Sequence, residues 1–175
     1  DKKKYACKCI YKKYTREALT EINILKKFDS FLYLPRIYDW SENIDKYFIL
    51  MEYVKGRELF YLLDENLKLE LILNITYQIL LAVAELQSHN IFHLDLKLEN
   101  IIMSNSGKIK IIDFGLSEKY NYKKNFVILS GMCGTLGYYS PEMLLTSSAT
   151  DKTDLWNLGI IFWMLIAKFP PFTIC

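Results

Sequence analysis

Long apolar runs are scarce in this sequence. The longest, LGIIFWMLIA at 158–167, falls well short of the roughly 20 residues a helix needs to cross a bilayer. It reads as a buried helix, and a membrane is not among the expected partners. A charge excess of either sign is missing too. The 22 Lys and Arg against 20 Asp and Glu leave a formal net charge of +2, so no overall field calls for nucleic acid or an anionic surface. Only Lys2 to Lys4 form a dense basic run, the ordinary composition of a solvated end. Cysteine is sparse: the four residues at 7, 9, 133 and 175 fit neither a paired C-x-x-C zinc pattern nor a disulfide framework. Free thiols in a reducing compartment, cytoplasm or nucleus, are the expectation. No repeat or low-complexity tract stands out, and no apolar leader follows the opening DKKKYACKC. A start without Met and an end at PPFTIC read as a piece of a longer chain.

What is present is ordinary globular material, 51% hydrophobic and 24% charged over 175 residues, enough for one sizeable core or two small lobes. Tyr5–Tyr11 suits a strand. Residues 15–28 carry Ala18, Ile22 and Leu25 at i, i+4, i+7, the pattern of an amphipathic helix, with Thr15 as its candidate cap. Residues 35–40 and 47–53 read as strands around the polar turn SENIDK, and 67–88 as a long helix that Asn90 ends. Ile101–Met103 and Ile109–Ile112 flank SNSG, a hairpin signal. Residues 117–140 are polar, Gly-dotted and irregular, long for a structureless loop and therefore of functional interest. A last helix is expected over 151–167. The fold expectation is α+β in two lobes: a partial small sheet lobe with one helix over 1–53, and a partial, mainly helical lobe over 54–175.

The polar residues inside IFHLDLKLENIIM (91–103) are costly to place between apolar neighbours unless they are paired or used. Asp95 sits between a helix and a hairpin, where a carboxylate can accept a hydroxyl proton or orient a nucleophile. Asn100 lies five residues on, and Asp113 ends the second hairpin strand. An oxygen from each suits a hard cation such as Mg²⁺. Gly115 would permit the sharp turn such a loop needs. Lys97 adds a positive charge two residues from the base. A base, two oxygen ligands and a lysine make a kit for phosphoryl transfer, which depends on positioning and charge neutralisation.

In the same order along the chain, HLDLKLEN (93–100) and DFG (113–115) resemble the catalytic loop and metal-binding signature of the protein kinase superfamily. YACK (5–8) is similar to the family's V-A-I-K strand, and TEINIL (20–25) to the segment with the paired helix glutamate. FILMEYVKGRELF (48–60) resembles the hinge, SPE (140–142) stands where A-P-E does, and DLWNLG (154–159) resembles D-x-W-x-x-G. One such match is weak evidence, whereas a series in order is specific. The resemblance implies ATP and Mg²⁺ as cofactors and a protein Ser/Thr hydroxyl as acceptor. Asp95 and Lys97 become catalytic, and Asn100 and Asp113 metal ligands. Lys8 becomes the phosphate clamp, paired with Glu21. Ala6, Met51 as gatekeeper, the backbone of Glu52 and Val54, Ile102, and Glu58 towards the ribose or a basic substrate residue complete the ATP site. The family's Gly-rich loop would precede Tyr5. A regulatory domain or partner outside these residues fits the same family.

Two departures bear on regulation. Position 94 is Leu where the family pattern has the Arg that receives an activation-loop phosphate. The segment GMCGTLGYYSPE resembles the CGTxGYxAPE form of calmodulin-dependent and related Ser/Thr kinases, but the position of the usual phosphorylated Thr is Gly131. The expectation is activation without conventional loop phosphorylation, with Ser130 the nearest rival acceptor. Taken singly, Lys8 is an ordinary strand lysine and Glu21 an ordinary helix residue, and Met51 is core in any case. His89 and His93 have a spacing that binds zinc on a continuous helix. The expected break near Asn90 makes His93 a packing histidine that braces the loop instead. The alternatives are a catalytically silent pseudokinase acting as a scaffold, and a small-molecule phosphotransferase, against which the peptide-platform look of CGT and SPE argues.

Overall fold

The computed structural model describes residues 3–120, 126–129 and 134–172. Lys2, Ser130, Gly131, Cys133, Cys175 and residues 121–125 of the irregular 117–140 stretch lie outside that range.

The first sheet is built by alternation. Strand β1 (Tyr5–Tyr11) pairs antiparallel with β3 (Lys46–Glu52), which pairs antiparallel with β2 (Ile37–Glu42), in the order β1-β3-β2. Successive strand side chains point to opposite faces, so Tyr47, Ile49 and Met51 face the core while Cys7 and Cys9 stay exposed as free thiols. The same alternation turns Lys8 inward with Ala6 and Ile10. Helix α1 (Thr15–Lys27) packs near this sheet through Ala18, Ile22 and Leu25, all nearly inaccessible to solvent. Thr15 does not cap it. Tyr14 holds the cap position, and the Thr15 hydroxyl donates 2.7 Å back to the carbonyl of Lys12, in the single 3₁₀ turn that links β1 to α1.

β4 (Gly56–Glu58) opens the second part and was not expected from the sequence, since three residues carry too little periodicity. Helix α2 (Leu69–Ser88) starts two residues later than its apolar pattern predicts. By length and composition it would reach across a bilayer, yet Ile75, Ile79, Ala82, Val83 and Leu86 are fully buried, as in a core helix. Asn90 follows it at φ 61°, a left-handed conformation that Asn tolerates.

β5 (Ile91–Phe92) leads into the loop around Asp95. The predicted hairpin then forms from β6 (Ile101–Ser104) and β7 (Ile109–Ile111), with Gly107 at φ 77° in its turn, and β4 adds to its free edge in the order β4-β6-β7. β8 (Glu118–Lys119) pairs with β5. β9 (Val127–Ile128) pairs with β10 (Ser148–Ala149), bracketing the short helix α3 (Pro141–Thr146), which starts with Pro at its first turn. α4 (Thr153–Ala167) packs on α2. The main core runs through both parts, from Ile22 and Ile49 to Ile79, Ile111 and Leu165.

Candidate active site

Lys8 is the centre of the arrangement. Its Nζ lies 2.6 Å from Glu21 Oε2 and 2.9 Å from Asp113 Oδ1, so one ammonium joins β1, α1 and the segment after β7. Glu21 is 1% exposed, and a carboxylate that deep needs a partner. Burial pushes its carboxyl above the usual range, with Lys8 pulling against the shift. Burial also opposes the charge on Lys8, but Glu21 and then Asp113 outweigh it and hold its pKa above the ordinary lysine value. On Asp113 burial is again overcome, first by Lys8 and then by the Gly115 N–H, so its carboxyl lies below the usual value.

The positive φ in this stretch belongs to Asp113, at 64°, and not to Gly115. Gly115 serves close approach. A Cβ there would sit 3.3 Å from Glu17 Cβ and 3.4 Å from Asp113 Oδ1, so the missing side chain lets α1 reach the segment that carries Asp113. Arg16 of α1 adds an ion pair to Glu118 of β8.

A cleft of about 330 Å³ opens beside Lys8 and contains eight of the ten residues expected there or at the metal: Ala6, Lys8, Glu21, Met51, Glu52, Val54, Ile102 and Asp113. Cys7, Pro35, Tyr53 and Ile112 also line it. Cys7 stands in the YACK strand, Tyr53 in the hinge stretch and Ile112 just before Asp113, whereas Pro35 had no such signal. Asn100 and Glu58 lie outside the lining. Glu58 sits opposite Ile102 in the β4–β6 ladder. The Glu52 amide N–H is taken by the Arg36 carbonyl at 2.8 Å, so that group is not available to a ligand.

Asp95 and Lys97 stand in the neighbouring loop, each half inside it. Asp95 Oδ1 accepts from Thr135 Oγ1 at 2.8 Å. Its Oδ2 accepts from Asn100 Nδ2 at 3.1 Å and lies 2.9 Å from Lys97 Nζ. Lys97 Nζ also donates to Thr135 Oγ1 at 2.8 Å. Asn100 Nδ2 donates in addition to the Asp95 carbonyl at 2.9 Å, which fixes the amide and leaves Oδ1 as its acceptor end. The Asn100 carbonyl receives the Ile112 N–H at 2.8 Å, tying Asn100 to the residue before Asp113. Oxygen donors on Asn100 and Asp113 have the hardness that Mg²⁺ selects.

The sequence from 1 to 174 matches the family model for the protein kinase domain. The chain belongs to the protein kinase domain family. It is 34% identical over 172 residues to a protein named as a probable myosin light chain kinase of Dictyostelium discoideum, covering 94% of this chain and 48% of that one. Against myosin light chain kinase 3 of Rattus norvegicus it is 38% identical over 158 residues, covering 87% and 20%. Against calcium-dependent protein kinase 4 of Plasmodium berghei it is 31% identical over 183 residues, covering 96% and 33%. The chain thus spans about half or less of the length of these relatives. Their names make it kin to Ser/Thr protein kinases, with the α+β, two-lobed kinase fold in partial form.

In this kinase domain the loop at 93–95 is held by a residue whose part the sequence did not disclose. Asp154, fully buried on α4, accepts the backbone N–H of His93 at 2.8 Å and of Leu94 at 2.9 Å. Burial raises its carboxyl pKa, and His93 and the two N–H groups oppose that. His93 braces the loop as expected. Its Nδ1 accepts the Asp95 N–H at 3.3 Å, which leaves Nε2 to donate to the Ile112 carbonyl at 3.2 Å. That pattern assigns one neutral tautomer, and burial pushes the His93 pKa down to match. Leu94 has φ 67° and lies in a second apolar cluster with Phe92, Leu129, Tyr139, Met143 and Ala149. Gly134, at φ 99°, passes so close that a Cβ would lie 2.8 Å from the Leu94 carbonyl oxygen.

Proposed function

We propose that the protein containing this chain transfers the γ-phosphate of Mg-ATP to Ser or Thr hydroxyls of a protein substrate. The Lys8 bridge to both Glu21 and Asp113 carries this reading, because it unites three residues far apart in sequence at one cleft. Bound Mg-ATP supplies the transferable phosphoryl group and a cation that spreads its charge. Ala6, Met51, Val54 and Ile102 offer the apolar walls for a base, and Lys8 a clamp for phosphate oxygens. Asn100 and Asp113 would hold the metal. Asp95 accepts the acceptor hydroxyl's proton, held in place by Thr135, Asn100 and Lys97. Lys97 faces the developing negative charge, and Glu58 is offered to the ribose or to a basic substrate residue.

Activation does not need the conventional loop phosphate in this reading. Leu94 supports it: where the family's phosphate receptor belongs, an apolar cluster joins the catalytic loop to Leu129, Tyr139 and Met143. The exposed thiols of Cys7 and Cys9 favour a reducing compartment, cytoplasm or nucleus.

The test is full-length protein with Mg-ATP, offered peptides and small alcohols, beside Asp95→Asn. Phosphate on peptide Ser or Thr that falls by a factor of about 10² to 10⁴ in the variant supports the reading. ATP binding without transfer would favour a scaffold, and transfer to small alcohols alone a small-molecule phosphotransferase. A stoichiometric phosphate on Ser130 or Thr135 that activity requires would overturn the activation proposal.

A further inference from the structure

Outside the groups already placed, one side chain ties together three segments that border the cleft. Lys110 lies on β7, three residues before Asp113. Its Nζ donates to the Leu34 carbonyl at 2.8 Å and to Glu52 Oε2 at 2.9 Å. The same Glu52 oxygen accepts the Arg36 N–H at 3.1 Å, and the Glu52 N–H returns to the Arg36 carbonyl. Close by, the Ile111 N–H donates to the Tyr33 carbonyl at 2.8 Å. The loop 33–36 follows the helix that carries Glu21. Glu52 ends the strand that lines the cleft, and β7 leads directly to Asp113. Lys110 therefore meets, at one ammonium, the supports of Glu21, of the base-facing wall and of Asp113. Its side chain is 15% exposed and that of Glu52 31%, so the pair is partly shielded from water and from salt.

We propose that Lys110 is a positioning residue, a latch whose contacts with Glu52 and Leu34 set the spacing between the nucleotide-facing wall and Asp113. This rests on the function proposed above. The latch is closed in the same arrangement in which Lys8 reaches both Glu21 and Asp113, so it favours the assembled site. A lysine stem is long enough to bridge the gap, and an ammonium can serve two acceptors at once. Removing the charge leaves the Glu52 carboxylate, among the described residues, with the Arg36 N–H. It also takes away one of the two ties between the 33–36 loop and β7, the Ile111 N–H to the Tyr33 carbonyl being the other.

In the full-length protein, Lys110→Met is expected to weaken ATP affinity about tenfold, the scale of a lost hydrogen bond between charged groups, with kcat changed less. Deuterium uptake should rise together at the amides of Arg36, Glu52 and Ile111. Lys110→Arg, which keeps the charge, should recover most of the affinity. Glu52→Gln should resemble Lys110→Met, and the double variant should lose little more than either alone. Unchanged affinity with only a lower melting temperature would reduce Lys110 to a structural role and overturn the proposal. Faster turnover in Lys110→Met would also overturn it, by making the contact a brake. If the wild type neither binds ATP nor transfers phosphate, the functional reading fails. Deuterium uptake still judges the latch in that case: a rise confined to β7 would refute it.

Discussion

Asp154→Asn is the substitution with the most to say about how the catalytic loop is held. It preserves the shape of the side chain but replaces one carboxylate oxygen by an NH₂ group. Both oxygens accept backbone N–H groups, from His93 and Leu94, so one of these contacts becomes donor against donor. A hydrogen bond to a charged acceptor contributes about 1.5–3 kcal/mol, and leaving a buried donor unsatisfied costs about 1–3 kcal/mol. Against this, burial raises the Asp154 pKa, so ionised Asp154 carries a desolvation cost that neutral Asn avoids. The net expectation is a loss of about 2–3 kcal/mol, a sizeable share of a total stability of about 5–15 kcal/mol. For a chain of this size that is a drop in melting temperature of about 4–12 °C. Leu94 sits at φ 67°, a strained conformation for a non-glycine residue, so part of the loss should appear as a relaxed loop and slower phosphotransfer. Urea titration with an unchanged m-value, thermal unfolding and kcat are the assays. A variant within about 0.5 kcal/mol of wild type would show that the carboxylate does not hold the loop.

Leu94→Arg, which restores the family's usual residue, should lower stability by about 3 kcal/mol or more, because it puts an unpaired charge into an apolar cluster; wild-type stability in urea would mean the cluster opens freely. His93 is expected to make stability pH-dependent. Its folded pKa is depressed below the usual value near 6.5, so the unfolded chain binds the proton first and stability falls as pH drops from about 6.5 towards the folded value. Protonated Nδ1 would meet the Asp95 N–H donor to donor, while Asp154, Asp95 and Asp113 pull the other way. Thermal unfolding between pH 7 and 5 should show this slope in wild type, and a His93→Asn variant with the same slope would count against it. Gly134→Ala combines a backbone clash at 2.8 Å with φ 99° and should destabilise by about 1–3 kcal/mol and slow turnover; normal activity would show that the segment shifts without cost.

Much of this protein can be read along the chain. The mix of aromatic and small residues with lysine placed β1 at its observed ends, the apolar spacing of Ala18, Ile22 and Leu25 placed α1, and SNSG between apolar runs placed the β6–β7 hairpin. These signals are local, because side-chain period and turn chemistry depend on near neighbours. Short elements escaped: β4, β5 and α3 have two to six residues each, too few to show a period, and they form because tertiary partners complete them. Thr15 departs from its expected capping place because it is already the first helical residue, and its hydroxyl donates back to the Lys12 carbonyl.

Residue types and their order single out Lys8, Glu21, Asp95, Asn100 and Asp113 as candidates for phosphoryl transfer. Their convergence was not in the string. Lys8 and Asp113 are 105 positions apart and meet at 2.9 Å because β1 turns Lys8 towards the core, α1 supplies a buried carboxylate, and an ungated approach at Gly115 lets both reach the loop after β7. Asp154, Thr135 and Lys110 likewise acquire their parts only in three dimensions, and so do the partners through which His93 braces the loop. A buried charge or hydrogen-bonding group is defined by what the fold brings within about 3 Å of it, and no neighbour in sequence reports that distance.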